Sequence, residues 1–129
     1  MFAITDAVNP SWGVAAILSF LIFALHLFGG GRQFARPLLA SRELAADVRM
    51  TLWYGWHIVT ISIAAMGTGF ALAAYDPAAA NLGYFMTGLS ASFMLLSLGI
   101  IVLRYPHPFA LPQWIFFMAV AAAGIAGAL

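Results

Sequence analysis

The chain has 129 residues, 64% of them hydrophobic and 7% charged, with a mean hydropathy of +1.00 and a formal net charge of +1. A soluble domain carries about 25% charged residues, so the composition implies lipid as the solvent, and so small a net charge gives no electrostatic footprint for nucleic acid. The absence of cysteine excludes disulfides, thiolate metal sites and cysteine nucleophiles.

The first twelve residues, MFAITDAVNPSW, contain Asp6 and no basic residue. A secretory signal opens with a positively charged region, so the first apolar segment is expected to stay in the mature protein. A hydrocarbon core about 30 Å thick takes about 20 helical residues to cross. Four segments approach that length, about residues 11–30, 50–75, 82–104 and 113–129. The first is entered through Asn9–Pro10–Ser11, with Ser11 the expected N-cap. The second stops at Asp76–Pro77 and the third before Pro106. The fourth, from Gln113–Trp114 to Leu129, is about 24 Å long as a helix; it spans where the terminal carboxylate sits at the interface or the bilayer thins. The expectation is one all-α transmembrane domain over 1–129, an integral membrane antiparallel four-helix bundle.

All five basic residues are arginines. Arg32, Arg36, Arg42 and Arg49 fall between the first two spans and Arg104 ends the third, so an antiparallel arrangement puts them on one side. The positive-inside rule makes that side cytoplasmic and both termini periplasmic in a bacterial-type inner membrane. The opposite side carries Asp6 and Asp76. Within the cytoplasmic loop, GRQFARPLLASRELAADVR, Ser41 is expected to cap a short interfacial helix with Leu44 and Val48 on one face. That loop serves either as topology signal and anchor or as a docking surface for a partner.

His26 lies about 9 Å deeper than Arg32 and His57 about 12 Å deeper than Arg49, counted at the helical rise. His107, in RYPHPF, belongs to a loop. Two histidines at similar depth on adjacent spans match the axial-ligand requirement of a b-type haem. Gly29, Gly30 and Gly55 leave room for a macrocycle, Arg32, Arg36 and Arg49 are placed to meet its propionates, and Trp53, Tyr54 and Trp56 supply aromatic surface. A chlorophyll-type pigment would use one histidine. A bare metal on His26 and His57 lacks the third protein ligand that catalytic zinc takes. The alternative is a structural pair, His26 and His57 bonding each other, a carbonyl or Thr60, an interhelical contact worth about 1 kcal/mol.

The stretch ALHLFGGGR, with LWYGWHIVT, resembles small bacterial four-span proteins. Its histidine near the end of span one resembles that of the copper-resistance D type and the small membrane protoporphyrinogen oxidase type. The likeness covers a few residues around His26, and no activity is carried over from it.

No Asp, Glu or Arg lies inside a span, which argues against a proton-coupled transporter, and the prolines sit at span boundaries rather than breaking helices at mid-depth. There is no nucleophile elbow, phosphate loop or carboxylate pair, and three histidines are too few for a diiron membrane hydroxylase. Small residues abound: Ala64, Gly67, Thr68 and Ala71 in span two, Gly88, Ser90, Ser92, Ser97 and Gly99 in span three, AVAAAGIAGAL in span four. They suit close helix packing, inside the bundle or against a partner subunit. The expected function is a non-catalytic accessory or structural subunit of a larger membrane complex. A haem- or pigment-binding protein using His26 and His57 is the alternative. A carrier or enzyme for a lipophilic small molecule is a third reading, and it requires a roomy cavity near the histidines.

Overall fold

The computed structural model describes residues 8–129; Asp6 lies outside them. Asn9 starts the first helix: its Oδ1 accepts the Trp12 N–H at 3.1 Å, and Pro10 follows in the first turn, where a missing N–H is no loss. The cap is thus Asn9 and not Ser11, because Pro10 is already helical.

Helix α1 runs Pro10–Ala40, 31 residues, well beyond the expected end near Gly30. It is α-helical over Pro10–Ala24, π-helical over Leu25–Ala35 and α-helical again over Arg36–Ala40. Two local features account for the change of pitch. Gly29, Gly30 and Gly31 hold an α turn weakly. Pro37 has no N–H, and its ring would clash with the carbonyl four residues back in a regular helix. Pairing one residue further back, with the Arg36 N–H on Gly31 O, opens the turn just ahead of that ring.

The expected interfacial helix capped by Ser41 does not form as a separate element. Residues 41–45 are the whole turn between α1 and α2 (Ala46–Tyr75), so Leu44 sits in the turn and Val48 in the first turn of α2. Arg49 Nη1 donates to Ser41 O at 2.7 Å and ties that turn down. Asp76 ends α2 and accepts the Ala78 N–H at 2.9 Å, which starts α3 (Pro77–Leu103) with one 3₁₀ turn. Helix α4 is Gln113–Ala128. There is no strand among the described residues. Helices α1, α2 and α3 are long and apolar enough to cross a membrane, and α4 is apolar but shorter.

Each helix packs on two neighbours, α1 on α2 and α4, and α3 on α2 and α4. Trp12 is the centre of the packing. Its Nε1 donates to Gly124 O at 3.0 Å, and its ring lies so close to Gly83 and Gly127 that a Cβ at Gly83 would come within 2.6 Å of it. Asn9 completes this end: its N–H donates to Ala74 O and its Nδ2 to Gly127 O, both at 2.8 Å. The start of α1 is therefore joined to the end of α2, the start of α3 and the end of α4. Further along, Phe20 lies on Gly67 and Met86 on Gly69, around the buried Ile63, Met66, Phe70 and Val120. The hydroxyls of Ser19, Thr60, Thr68, Thr87 and Ser92 each donate to the carbonyl four residues back in their own helix.

Gly83→Ala and Gly127→Ala force Trp12 out of its seat and are expected to destabilise by about 1–3 kcal/mol, the usual range for overpacking. Gly88, where a Cβ meets nothing within 4 Å, is the internal control: Gly88→Ala should be neutral or stabilising by up to about 1 kcal/mol. Thermal unfolding in detergent, followed by circular dichroism, measures both.

Candidate functional site

Burial stops before the other end of the molecule. In α1 the buried positions run from Trp12 to Ile22 and then only Ala35, and in α2 none precedes Thr60. Between these underpacked segments, the π-helical part of α1 and the first turns of α2, lies a cleft of about 340 Å³. Arg32, Arg36 and Phe28 border it from α1, and Trp53, Trp56 and His57 from α2.

Of the sequence-predicted site residues, Arg32, Arg36 and His57 are brought together here. His26 is not. Its ring stacks on the Trp56 indole, with centroids 3.9 Å apart and planes 16° from parallel, and its Nε2 lies 3.3 Å from Trp56 O. As the Nε2–H tautomer it donates to that carbonyl, which also accepts from Thr60 Oγ1 at 3.0 Å. His57 turns its ring edge-on to Trp53 at 4.4 Å. The two histidines therefore take separate aromatic partners. Arg49 is held at the turn by Ser41 O, away from the cleft, and His107 packs against Tyr105 in the α3–α4 loop, 4.7 Å between rings.

A bis-imidazole haem does not fit this arrangement. An axial ligand needs a free Nε2 aimed at the metal, and that of His26 faces a backbone carbonyl behind the Trp56 indole. A bare metal fares no better, since no cluster of three His, Asp or Glu exists among the described residues.

Trp56 is the residue that sequence reasoning undervalued, and Gly30 is why it can act. A Cβ at Gly30 would lie 2.6 Å from Trp56 Cη2, so only glycine lets the indole lie against the α1 backbone. Phe34 approaches the same indole at 6.4 Å. The signal that could have found this was the run Gly29–Gly31 followed by Pro37, which points to altered helix pitch as much as to a loop.

The electrostatics of the cleft are one-sided. Arg32 and Arg36 are exposed and make no hydrogen bond to a protein group among the described residues, in contrast to Arg49. Asp47, the acid nearest along α2, accepts the Val48 N–H in the first turn, where a carboxylate complements the helix dipole. The cleft thus combines two uncompensated guanidinium groups, an imidazole and two indoles.

Comparison with protein-family models, curated proteins and solved structures gives no match to this chain.

The stack predicts a measurable coupling. In a double-mutant cycle of His26→Ala and Trp56→Phe, followed by thermal unfolding in detergent, the interaction energy should be about 0.5–1.5 kcal/mol. The same cycle run with His57→Ala should give a value near zero.

Proposed function

We propose that this chain is a multi-pass inner-membrane protein, an antiparallel four-helix bundle with its arginine-rich end in the cytoplasm and both termini periplasmic, serving as a non-catalytic subunit of a larger membrane assembly. Its exterior supports the placement in lipid. Ile17 on α1, Ile61 on α2, and Phe85 and Leu96 on α3, all more than 60% exposed, leave more apolar surface uncovered than a soluble monomer tolerates. The hydroxyls of Ser19, Thr60, Thr68, Thr87 and Ser92 bond within their own helices, the solution lipid demands of a polar group, while that of Ser97 is buried without a partner among the described residues.

The observation that carries the subunit reading is on α3. Gly88, Ser92 and Gly99 share one helical face, yet they do not pack inside this chain: a Cβ at Gly88 or Gly99 meets nothing within 4 Å, and Ser92 is exposed. Small residues at such spacing let a second backbone approach closely in lipid, where dispersion and hydrogen bonds drive association. Nothing among the described residues fills the space beside Gly88 and Gly99, so a helix of another subunit is the proposed occupant of that face. The hydroxyls of Ser19, Thr60 and Thr87 are engaged with their own helices, and among the described residues neither His26 nor His57 is hydrogen-bonded to a hydroxyl.

The subunit reading predicts that the chain leaves the membrane in mild detergent with a partner, and that Ser92→Leu releases the partner without lowering thermal stability. Recovery of the wild-type chain alone, repeatedly and in native membranes' own lipid, would overturn it.

The placement has its own test, simplified by the lack of cysteine. Ser41→Cys should react with a membrane-impermeant maleimide only from the cytoplasmic side, and Ala78→Cys only from the periplasmic side.

A further inference from the structure

We propose that the cleft between α1 and α2 is a specific site for one anionic phospholipid, with the phosphate held by Arg32 and Arg36 and the adjoining apolar part of the lipid lying on Trp53 and Trp56. The inference rests on the membrane placement proposed above, which sets this end of the molecule at the cytoplasmic leaflet.

Three observations and one general rule converge. The first is unmet charge. Arg49 spends its guanidinium on Ser41 O, whereas Arg32 and Arg36 border the cleft with no protein acceptor among the described residues. Two planar forks four residues apart on one helix suit the several oxygens of a phosphate, which arginine engages in bidentate fashion. The second is shape. The cleft, about 340 Å³, is within the size range of small-ligand sites and is walled by indoles, which are amphipathic in the way a headgroup-to-chain boundary requires. Third, the wall that carries both arginines is the π-helical segment Leu25–Ala35 and the residue after it. π-helical segments are frequent at functional sites, and here α1 stays helical through the glycines and on past Arg36. The general rule is that basic pockets between spans on the cytoplasmic side bind anionic headgroups, and the proposed placement puts this cleft there.

Arginines at this depth also act as plain topology signals, and the two roles make different demands. A topology signal is satisfied by any positive charge and is indifferent to cleft shape. A phosphate site needs the guanidinium fork and an open cleft. Gly31 borders the cleft, and a Cβ there meets nothing within 4 Å, so Gly31→Leu fills the space with every charge kept. Arg32→Lys/Arg36→Lys keeps the charge and removes the fork.

The test is native mass spectrometry of the full chain in non-ionic detergent with equal amounts of phosphatidylglycerol and phosphatidylcholine, and a parallel arm with inorganic phosphate. Wild type should retain one phosphatidylglycerol in roughly tenfold preference to phosphatidylcholine. Gly31→Leu and the double lysine variant should each lose most of that preference, while Arg104→Lys, at the same end but off the cleft, should keep it. Circular dichroism establishes that each variant is folded; if Gly31→Leu is not, the double lysine variant decides. Equal retention of both lipids, unchanged preference in the double lysine variant, or equal loss in Arg104→Lys would overturn the proposal. So would binding of inorganic phosphate without a lipid adduct, which would make the cleft a site for a free anion. Carbonate extraction of the wild type separates the two readings: a chain that stays in the membrane pellet but retains no lipid loses the site and keeps the placement.

Discussion

The seat of Trp12 is the constraint on which the rest of the structure depends. One indole on α1 reaches between α3 and α4, donates to Gly124 O, and lies flat where Gly83 and Gly127 have no side chain. Asn9, three residues earlier, bonds Ala74 on α2 and Gly127 on α4 while capping its own helix. These two residues put the ends of all four helices in one place. An indole N–H buried in an apolar interior needs a partner, and the Gly124 carbonyl sets where α4 must stand to provide it. From there the helices pack by small residues against large ones, Gly67 under Phe20 and Gly69 under Met86.

The opposite end follows from what is missing there. Beyond Ile22 on α1 and before Thr60 on α2 there is almost no buried side chain, so the two helices are held by a few specific contacts and not by a core. The His26–Trp56 stack is the main one. It stands as a strut beside the cleft: it keeps the helices together at that level while the space toward Arg32 and Arg36 stays open. A bundle packed tightly at both ends would have no cavity, and one packed at neither would not hold the arginines in place. The gradient from a closed end to a propped end is what gives the chain a place to bind anything.

How far the sequence foretold this depends on which physical signal each feature leaves. The end of the second helix, the end of the third and the start of the fourth were legible because Asp76–Pro77, Pro106 and Gln113–Trp114 mark abrupt changes of hydropathy or backbone freedom, whereas the third begins at Pro77, ahead of the start expected near residue 82. The first helix was read short because glycines, arginines and a glutamine look like a loop, and a helix that changes to i→i+5 pairing leaves no 3.6-residue pattern to detect. Charge and helical counting grouped Arg32, Arg36 and His57 with His26 and Arg49, and the first three border one cleft while the other two do not. The partner of His26 was not legible. Trp56 and His57 are adjacent in sequence but point about 100° apart on a helix, and depth counting alone does not say which of them faces α1. The packing glycines were likewise confused with free ones: Gly83 and Gly127 seat an indole, a Cβ at Gly88 or Gly99 would meet nothing within 4 Å among the described residues, and their local sequences do not differ in kind.

Arg49 shows why the cleft arginines are distinct. All three belong to the same basic end, and any of them would serve the positive-inside rule. Arg49 has become structural, its Nη1 on Ser41 O closing a five-residue turn and its Nε buried without a partner. A guanidinium used that way is lost to a ligand. Arg32 and Arg36 make no hydrogen bond to a protein group among the described residues, and the helix that carries them runs on through its π-helical segment to Ala40, ahead of that turn. The unusual backbone and the uncompensated charge therefore have one origin, in the run from Gly29 to Pro37, and a site at this end exists only because that run stays helical.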